Sequence, residues 1–317
     1  MRFRSVAGDD LGAVLDWNVT EPVVWIPADR YREESAAGRL RPEWTWVAEG
    51  DGGRVLARAL WWGRSDSEHP ITLDCLSVHP SVTAPATLAA ELLAAGHRAF
   101  AGRGAAGPPS YNIMVPHDGP GGDRAAVTAA VAWREEAARC AGLTERIERY
   151  RFEWTPQAGV PAPSTRLVFT PEPDDEAFVA VFREVARGSL DQETLANVAS
   201  MGEEAAARDD LEFYLDCPGE RDWWRMARTP GGELVGFAIP SRTPYNPNVG
   251  YLGVLPGLRG QRYIDDILGE ITRFHAGLGT ERITATTDSV NVPMAAAFER
   301  GGYRVSETRV VLSAPAA

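Results

Sequence analysis

The sequence predicts an α/β fold, with an α+β mixed sheet in each of two tandem domains. Its 317 residues exceed the roughly 250–300 that a single hydrophobic core usually supports. Strand-like and helix-like segments alternate along the chain, and their order in the first half recurs in the second. We therefore expect one domain at 1–154 and another at 166–317, joined by a linker at 155–165.

The linker is predicted from a run of proline and small residues at 155–163. Three of these nine positions are proline. Proline lacks an amide hydrogen, so the run can continue neither a helix nor a central strand. We expect an extended connection between the two domains here.

The repeat is visible in successive features of the two halves. Glycine-containing turns at 51–53 and 230–232 separate pairs of strand-like segments, which indicates a hairpin in each half. Short strands ending in V-x-P follow at 76–80 and 252–256. A helix-like segment comes next in both halves, then a further strand and another helix. This order predicts a duplicated domain.

Composition excludes several classes of function. All 32 basic residues are arginine, against 44 acidic residues, and the net charge is −12. Without lysine there is no Schiff-base chemistry and no phosphate loop completed by its own lysine. The acidic balance disfavours nucleic acid as a partner. No apolar run reaches the ~18 residues of a membrane span, so we expect no membrane partner.

Cysteine and histidine give no sign of a metal site. The five histidines lack the spacing of metal-binding motifs, so no metal is predicted. The cysteines Cys75, Cys140 and Cys217 lie far apart and are typical of free thiols in a reducing compartment. The N-terminal residues have no signal-peptide pattern. We expect a cytoplasmic protein.

The segment most informative about chemistry is 249–264, which reads VGYLGVLPGLRGQRYI. It combines a strand, a glycine-containing turn and the start of an amphipathic helix. A helix N-terminus carries unpaired backbone amides and about half a positive charge. A turn that brings backbone amides close to a ligand suits phosphate groups. The pattern predicts an anion site.

The residues after this segment support a more specific interpretation. A strand at 282–287 leads to Asn291, a short helix, and E-x-G-G-Y at 299–303. Together with V-x-P-x-x-R-G, the stretch 231–312 resembles the acetyl-CoA signature of the GNAT acyltransferase superfamily. The duplicated layout resembles that of tandem GNAT proteins, of which mycothiol synthases are an example.

The resemblance implies acetyl-CoA, or another acyl-CoA, as co-substrate. It places pantetheine along one strand, with the Val254 amide facing the thioester oxygen, and the pyrophosphate on the amides of the following turn. Asn291 would contact the pantetheine arm. The implied strand residues are Leu252, Gly253 and Val254, and the implied phosphate residues are Arg259, Gly260, Gln261, Arg262, Tyr263 and Ile264.

The sequence departs from the family pattern at three positions. Arg262 and Ile264 replace two small residues of the phosphate turn, and Phe298 stands where many members have the tyrosine that protonates the leaving thiolate. The first half keeps Val78-His79-Pro80, but 81–85 contains neither R-G nor glycine. We therefore expect the N-terminal domain to be a degenerate GNAT-like copy without its own cofactor site.

Two residues are candidates for catalysis. Asp288 ends the strand that should flank the acyl group, where it is a candidate proton acceptor or a simple turn residue. Tyr251 lies on the preceding strand, where its hydroxyl could orient the substrate or its ring could fill the core. The sequence predicts an acyl-CoA-dependent N-acyltransferase for a small-molecule amine. A catalytically impaired acyl-CoA-binding protein and another reaction of a CoA thioester stay open, as does the oligomeric state.

Overall fold

A computed structural model of the chain describes residues 1–7, 12–17, 19–117 and 123–315. The chain divides into two compact units. Unit 1 comprises Met1–Glu148 and Glu307–Ala317, and unit 2 comprises Arg149–Ser306. Within the described ranges, no helix combines the length and the apolar character that crossing a membrane requires.

Both units combine strands and helices. The strands are β1 (Arg2–Ser5), β2 (Leu40–Glu49), β3 (Val55–Trp62), β4 (Thr72–Val78), β5 (Ser110–Pro116), β6 (Glu145–Trp154), β7 (Val168–Pro171), β8 (Arg225–Arg228), β9 (Leu234–Arg242), β10 (Pro247–Val254), β11 (Ile283–Asp288) and β12 (Arg304–Ser313). The helices are α1 (Gly12–Leu15), α2 (Ala28–Ala36), α3 (Pro85–Ala101), α4 (Arg124–Cys140), α5 (Asp175–Ala186), α6 (Gln192–Met201), α7 (Glu203–Asp216), α8 (Tyr263–Gly277) and α9 (Val292–Arg300). The predicted mixed α/β class is confirmed.

The units divide at a different place from the predicted linker. Unit 2 begins at Arg149 and includes the proline-rich segment. There Trp154 Nε1 donates to the Gly159 carbonyl at 3.3 Å, and Arg273 donates to the Ala162 carbonyl at 2.7 Å. Proline excludes a long helix or a central strand here, but side-chain donors satisfy the carbonyls and hold the segment within unit 2. The division at Glu148 therefore differs from the expected one at 155–165.

Unit 1 is built on a sheet with the strand order β1-β2-β3-β4-β5-β12. Strands β4 and β5 are parallel, whereas the other neighbours in this order pair antiparallel. Apolar residues of α3 and α4 form one core cluster with the strands, and those of α1 and α2 form another. The last strand of the chain thus completes the sheet of the N-terminal unit.

Unit 2 has the strand order β6-β11-β10-β9-β8-β7, with β10 and β11 parallel. Helix α8 presents Ile267, Leu268 and Ile271 to one core cluster, at the spacing of an amphipathic helix. Helix α5 packs into a second cluster with α7. It begins after Asp174, whose carboxylate accepts from the Glu176 amide at 3.0 Å and so caps the first turn.

Candidate active site

The site begins with two parallel strands that separate. In the part of the chain that the structure describes, β10 pairs with β11 only at Asn248 and Thr284. Further along, β10 continues to pair with β9 as far as Val254. Strand β11 pairs with β6 on its other edge. A cleft therefore lies between residues 251–254 of β10 and 285–288 of β11, and we call it the β10–β11 cleft.

A bulge in β10 accounts for this separation. The register with β9 shifts between Asn248 and Tyr251, and Gly250 adopts φ +73°. A Cβ at this position would lie 2.2 Å from the Ile239 carbonyl oxygen, so only glycine fits. A bulge bends its strand and increases the local twist, which turns the end of β10 away from β11.

The ladder with β9 determines which backbone groups face the β10–β11 cleft. The Leu255 amide donates to the Val235 carbonyl at 2.9 Å. Since hydrogen-bonded pairs alternate along an antiparallel ladder, the backbone groups of Gly253 also point to β9. Those of Leu252 and Val254 point into the cleft. Gly253 contributes its small size instead, because a Cβ there would lie 2.5 Å from Val185 Cγ1.

The turn after β10 ends at a helix N-terminus. Gly260 has φ +80° and Arg262 has φ +61°, both left-handed. Arg262 directly precedes the first residue of α8. Within the described chain, its side chain makes no hydrogen bond to the first amides of the helix. The first amides of α8 are therefore available to an anion. The predicted phosphate residues lie together at this turn.

The side chain of Arg259 has a structural role. It donates to the carbonyls of Val185 at 2.6 Å, Gly188 at 2.8 Å and Arg187 at 3.0 Å. Its Nε also donates to the Val254 carbonyl at 3.2 Å. The guanidinium satisfies one carbonyl in the last turn of α5 and two just after the helix, and it ties that helix to the end of β10.

Arg166, which no sequence motif marks, orients the turn that precedes α8. It donates to the carbonyls of Gln261 at 3.0 Å and Arg262 at 3.1 Å, and it pairs with Asp266. Its guanidinium lies 4.8 Å from the centre of the Tyr263 ring. In a trans peptide the carbonyl and the amide of the next residue point in opposite directions. Because Arg166 holds the carbonyls of Gln261 and Arg262, the amides of Arg262 and Tyr263 point away from Arg166.

Asp288 lies at the mouth of the β10–β11 cleft with both oxygens engaged. It is buried, and its Oδ1 lies 3.1 Å from Arg149 Nε. Its Oδ2 accepts from the Gln192 amide at 2.6 Å, at the start of α6. Burial raises the pKa of this carboxyl above its ordinary value, against the Gln192 amide and the Arg149 charge, which lower it. These contacts suit an anchor for α6 better than a proton acceptor.

Tyr251 stacks on a second tyrosine. Its ring centre lies 5.2 Å from that of Tyr214 on α7, with the planes 17° apart, and it also contacts Phe182 and Phe237. Burial raises the pKa of both tyrosines well above the ordinary value. Both hydroxyls therefore stay protonated, so Tyr251 can orient a substrate or donate a proton but cannot serve as a base at neutral pH.

Three further predicted positions have clear local roles. Phe298 is buried and stacks on Phe152 at 4.8 Å, so it belongs to the core. Ile264 packs against the same cluster. Asn291 caps α9, where its side-chain oxygen accepts from the Met294 amide at 3.3 Å.

Asp210 on α7 is a candidate that the sequence did not single out. It is half-buried and, across the described residues, has no hydrogen-bond or ion-pair partner. Burial raises the pKa of this carboxyl to about 7, helped by the nearby charges of Asp209, Glu193 and Asp191. No sequence motif marks it, because α7 meets the β10 strand only through tertiary packing.

Unit 1 has a comparable separation of strands, but side chains and backbone fill it. Strand β4 pairs with β5 at Thr72 and Leu73 among the described residues. The buried Arg134 donates from Nε to the Leu76 carbonyl at 3.1 Å, and from Nη2 to Glu21 at 2.7 Å. The Val24 amide donates to the Met114 carbonyl on β5 at 2.7 Å. The Leu76 and Met114 carbonyls, two backbone groups that could hold a ligand, are thus already satisfied.

Comparison with solved structures shows the fold of the GNAT acetyltransferases. The chain matches a GCN5-related N-acetyltransferase from Sphaerobacter thermophilus with a TM-score of 0.60 and 16% identity, over 98% of this chain and 94% of that one. It also matches the glucosamine N-acetyltransferase region of a fungal multi-domain GH3 β-N-acetylglucosaminidase, with a TM-score of 0.53 and 12% identity, over 98% of this chain and 38% of that one. The GNAT resemblance in the sequence is confirmed at the level of the fold.

A tandem GNAT protein from the clavulanic acid biosynthesis pathway matches with a TM-score of 0.49 and 18% identity, over 100% of this chain and 99% of that one. No protein-family profile matches the chain, and no curated protein matches it either.

Proposed function

We propose that the protein is an acyl-CoA-dependent N-acyltransferase that uses acetyl-CoA and acts on a small-molecule amine. The observation that carries the proposal is the β10–β11 cleft, into which the backbone groups of Leu252 and Val254 point beside an uncapped helix N-terminus. An extended thioester arm fits along such a strand edge, and its phosphates fit the helix end.

In this mechanism the chain supplies positioning and hydrogen-bond donors. The amides of Gly260, Gln261, Arg262 and Tyr263 bind the pyrophosphate, and the Asn291 amide group contacts the pantetheine arm. The Val254 amide donates to the carbonyl oxygen of the thioester as it gains negative charge. One such donor contributes about 3–4 kcal/mol to catalysis in known oxyanion holes. The amine attacks the carbonyl carbon directly and forms the C–N bond of a tetrahedral intermediate, and the collapse of that intermediate breaks the C–S bond.

Carboxylates near the cleft support a cationic acceptor. Asp191, Glu193 and Asp288 surround the single guanidinium of Arg149, and Asp210 lies on the neighbouring helix α7. Excess negative charge attracts an ammonium group. We further propose that unit 1, the degenerate copy, supports the fold and binds no acyl-CoA, and that the protein acts in the cytoplasm.

One observation favours an alternative function. Phe298 has no acidic proton to give a leaving thiolate and lies in the core, which is consistent with an acyl-CoA-binding protein of low activity. A thiol-release assay over a panel of amines separates the possibilities. Release that depends on the amine supports transfer, release without an amine supports hydrolysis, and binding without release supports the alternative.

The cofactor assignment is tested by calorimetric titration with acetyl-CoA. We expect the native chain to bind and Gly260→Trp to bind at least tenfold more weakly, because an indole would cover the phosphate turn. Gly279→Trp is the matched control, since Gly279 has a similar φ of +74° and lies in open space beyond the other end of α8. Equal affinities for the two variants would refute the assignment.

A further inference from the structure

The carboxylates of α5 and α7 are mostly neutralised by arginine. On α5, Asp175 pairs with Arg221 and Glu176 pairs with Arg208. The first residue of α7, Glu203, pairs with Arg187. Asp210 differs, because it is half-buried and no arginine acts on it within the described chain. A carboxylate withdrawn from water without a cation lowers stability, so its presence suggests a chemical use.

Asp210 is connected to the β10–β11 cleft through two aromatic rings. It precedes Tyr214 by one helical turn, so the two side chains share a face of α7. The Tyr214 ring stacks on Tyr251, and Tyr251 directly precedes Leu252, whose backbone groups face the cleft. The Asp210 charge also acts on Tyr251, so the carboxylate lies on the same side of β10 as the Tyr251 ring. We expect an acceptor to approach a thioester held on β10 from that side.

We propose that Asp210 is the catalytic residue that takes a proton from the ammonium group of the acceptor. The inference rests on the proposed transferase function and names the base for that reaction. It assigns this role to Asp210 in place of Asp288, whose two oxygens are already engaged.

The Asp210 carboxylate takes one proton from the ammonium nitrogen, which frees the lone pair that forms the C–N bond to the thioester carbonyl carbon. When the tetrahedral intermediate collapses, the C–S bond breaks and its electron pair goes to sulphur. A second proton leaves the nitrogen and ends on that sulphur, giving the free thiol and a neutral amide. Asp210 then returns its proton to water.

The surroundings of Asp210 suit a base at neutral pH. Burial and the charges of Asp209 on the same helix, and of Asp191 and Glu193 at the start of α6, raise the pKa of this carboxyl to about 7. Around the tyrosine pair, Arg259 acts on Tyr251 and the Cys217 thiol acts on Tyr214. A base whose pKa lies near the working pH combines a useful ionised fraction with a strong tendency to take the proton.

The test compares Asp210→Asn with Glu212→Gln, an exposed carboxylate two residues along on α7. Thiol release is measured with acetyl-CoA and a panel of propylamine, benzylamine and diaminobutane, from pH 5 to 9. For the native chain and the control we expect kcat/KM to rise with pH up to about 7 and then level. For Asp210→Asn we expect kcat to fall about 100-fold or more, with KM little changed. We also expect the rise of kcat/KM with pH up to about 7 to be absent.

A second measurement shows whether the variant folds. Because the folded carboxyl has a raised pKa, between about pH 4 and pH 7 it keeps a proton that the unfolded chain has lost. The native protein therefore loses stability as the pH rises through this window. The Asn variant does not, so we expect its melting temperature to exceed that of the native chain at pH 8 and to match it at pH 4.

The outcomes separate the two proposals. Native transfer together with an unchanged rate and pH profile in Asp210→Asn overturns this inference and leaves the transferase function standing. If the native chain acylates no amine of the panel, both the transferase function and the role of Asp210 are overturned. A titration with acetyl-CoA then shows whether the protein binds the cofactor at all. The proposal is supported if only Asp210→Asn loses the rise of kcat/KM with pH, and if its melting temperature exceeds that of the native chain at pH 8 and matches it at pH 4.

Discussion

Arg262 shows at the scale of one residue how this sequence departs from the GNAT pattern that it resembles. A small residue is expected at this position from the GNAT resemblance, and the backbone there has φ +61°, a conformation that glycine adopts freely. Arginine pays a conformational cost of about 1–2 kcal/mol in this region. Its exposed guanidinium lies beside the amides proposed to bind phosphate, where positive charge would favour an anion.

We predict opposite effects of Arg262→Gly on stability and on binding. Removal of Cβ relieves the left-handed conformation, so the free energy of unfolding in urea should rise by up to about 1 kcal/mol. Loss of the charge should weaken acetyl-CoA binding severalfold, measured by calorimetry. Arg262→Ala is the control, because it removes the charge but keeps Cβ. If the alanine and glycine variants unfold at the same urea concentration, the conformation is not the source of the effect.

At the scale of the element, strand β10 has to pair with β9 as far as Val254 and also separate from β11 after Asn248. The bulge at Gly250 reconciles these demands, since it bends one strand of the pair without ending the ladder. Arg259 then fixes the end of β10 to the last turn of α5. The shape of the proposed site is thus determined by a glycine and an arginine, neither of which needs to touch the reacting atoms.

Gly250→Ala is predicted to damage both stability and cofactor binding. An alanine Cβ would meet the Ile239 carbonyl oxygen at 2.2 Å in a left-handed conformation, so we expect a loss of about 2 kcal/mol or more in chemical unfolding. If β10 straightens towards β11, acetyl-CoA affinity falls as well. Gly257→Ala, in open space within the same region, should leave both quantities unchanged. A Gly250→Ala protein with native stability would show that the bulge does not need glycine.

Local signals predicted the β10–α8–β11–α9 order and the position of the turn before α8. Glycine, proline and capping residues act within a few positions of one another, so the sequence displays them directly. The contacts of Arg166 and Arg134 and the proposed role of Asp210 depend on packing between residues far apart in the chain, which no spacing reveals. Asp288 was selected from its position at a strand end, but its contacts with α6 depend on tertiary packing.

At the scale of the whole molecule, the two compact units do not coincide with the expected domains at 1–154 and 166–317. Each of these two ranges lacks residues of the unit to which most of it belongs. Residues 307–312 of β12 pair antiparallel with 111–116 of β5, and Val310 and Leu312 are buried in a core cluster of unit 1. The expected division into 1–154 and 166–317 would therefore remove a strand from the N-terminal sheet. Sequence order suggested two consecutive domains because the repeat is consecutive, whereas the strand pairing that completes unit 1 comes from the end of the chain.

A fragment of residues 1–154 is accordingly predicted to be unstable. It lacks two buried side chains, each worth about 1.5–3 kcal/mol, out of the roughly 5–15 kcal/mol that stabilise a typical domain. It also exposes the edge of β5, which favours aggregation. We expect no cooperative thermal transition by circular dichroism and aggregates by size exclusion. Addition of a synthetic peptide of residues 303–317 should restore a cooperative transition, while a scrambled peptide should not. A monomeric fragment that melts cooperatively without the peptide would show that β12 is dispensable for unit 1.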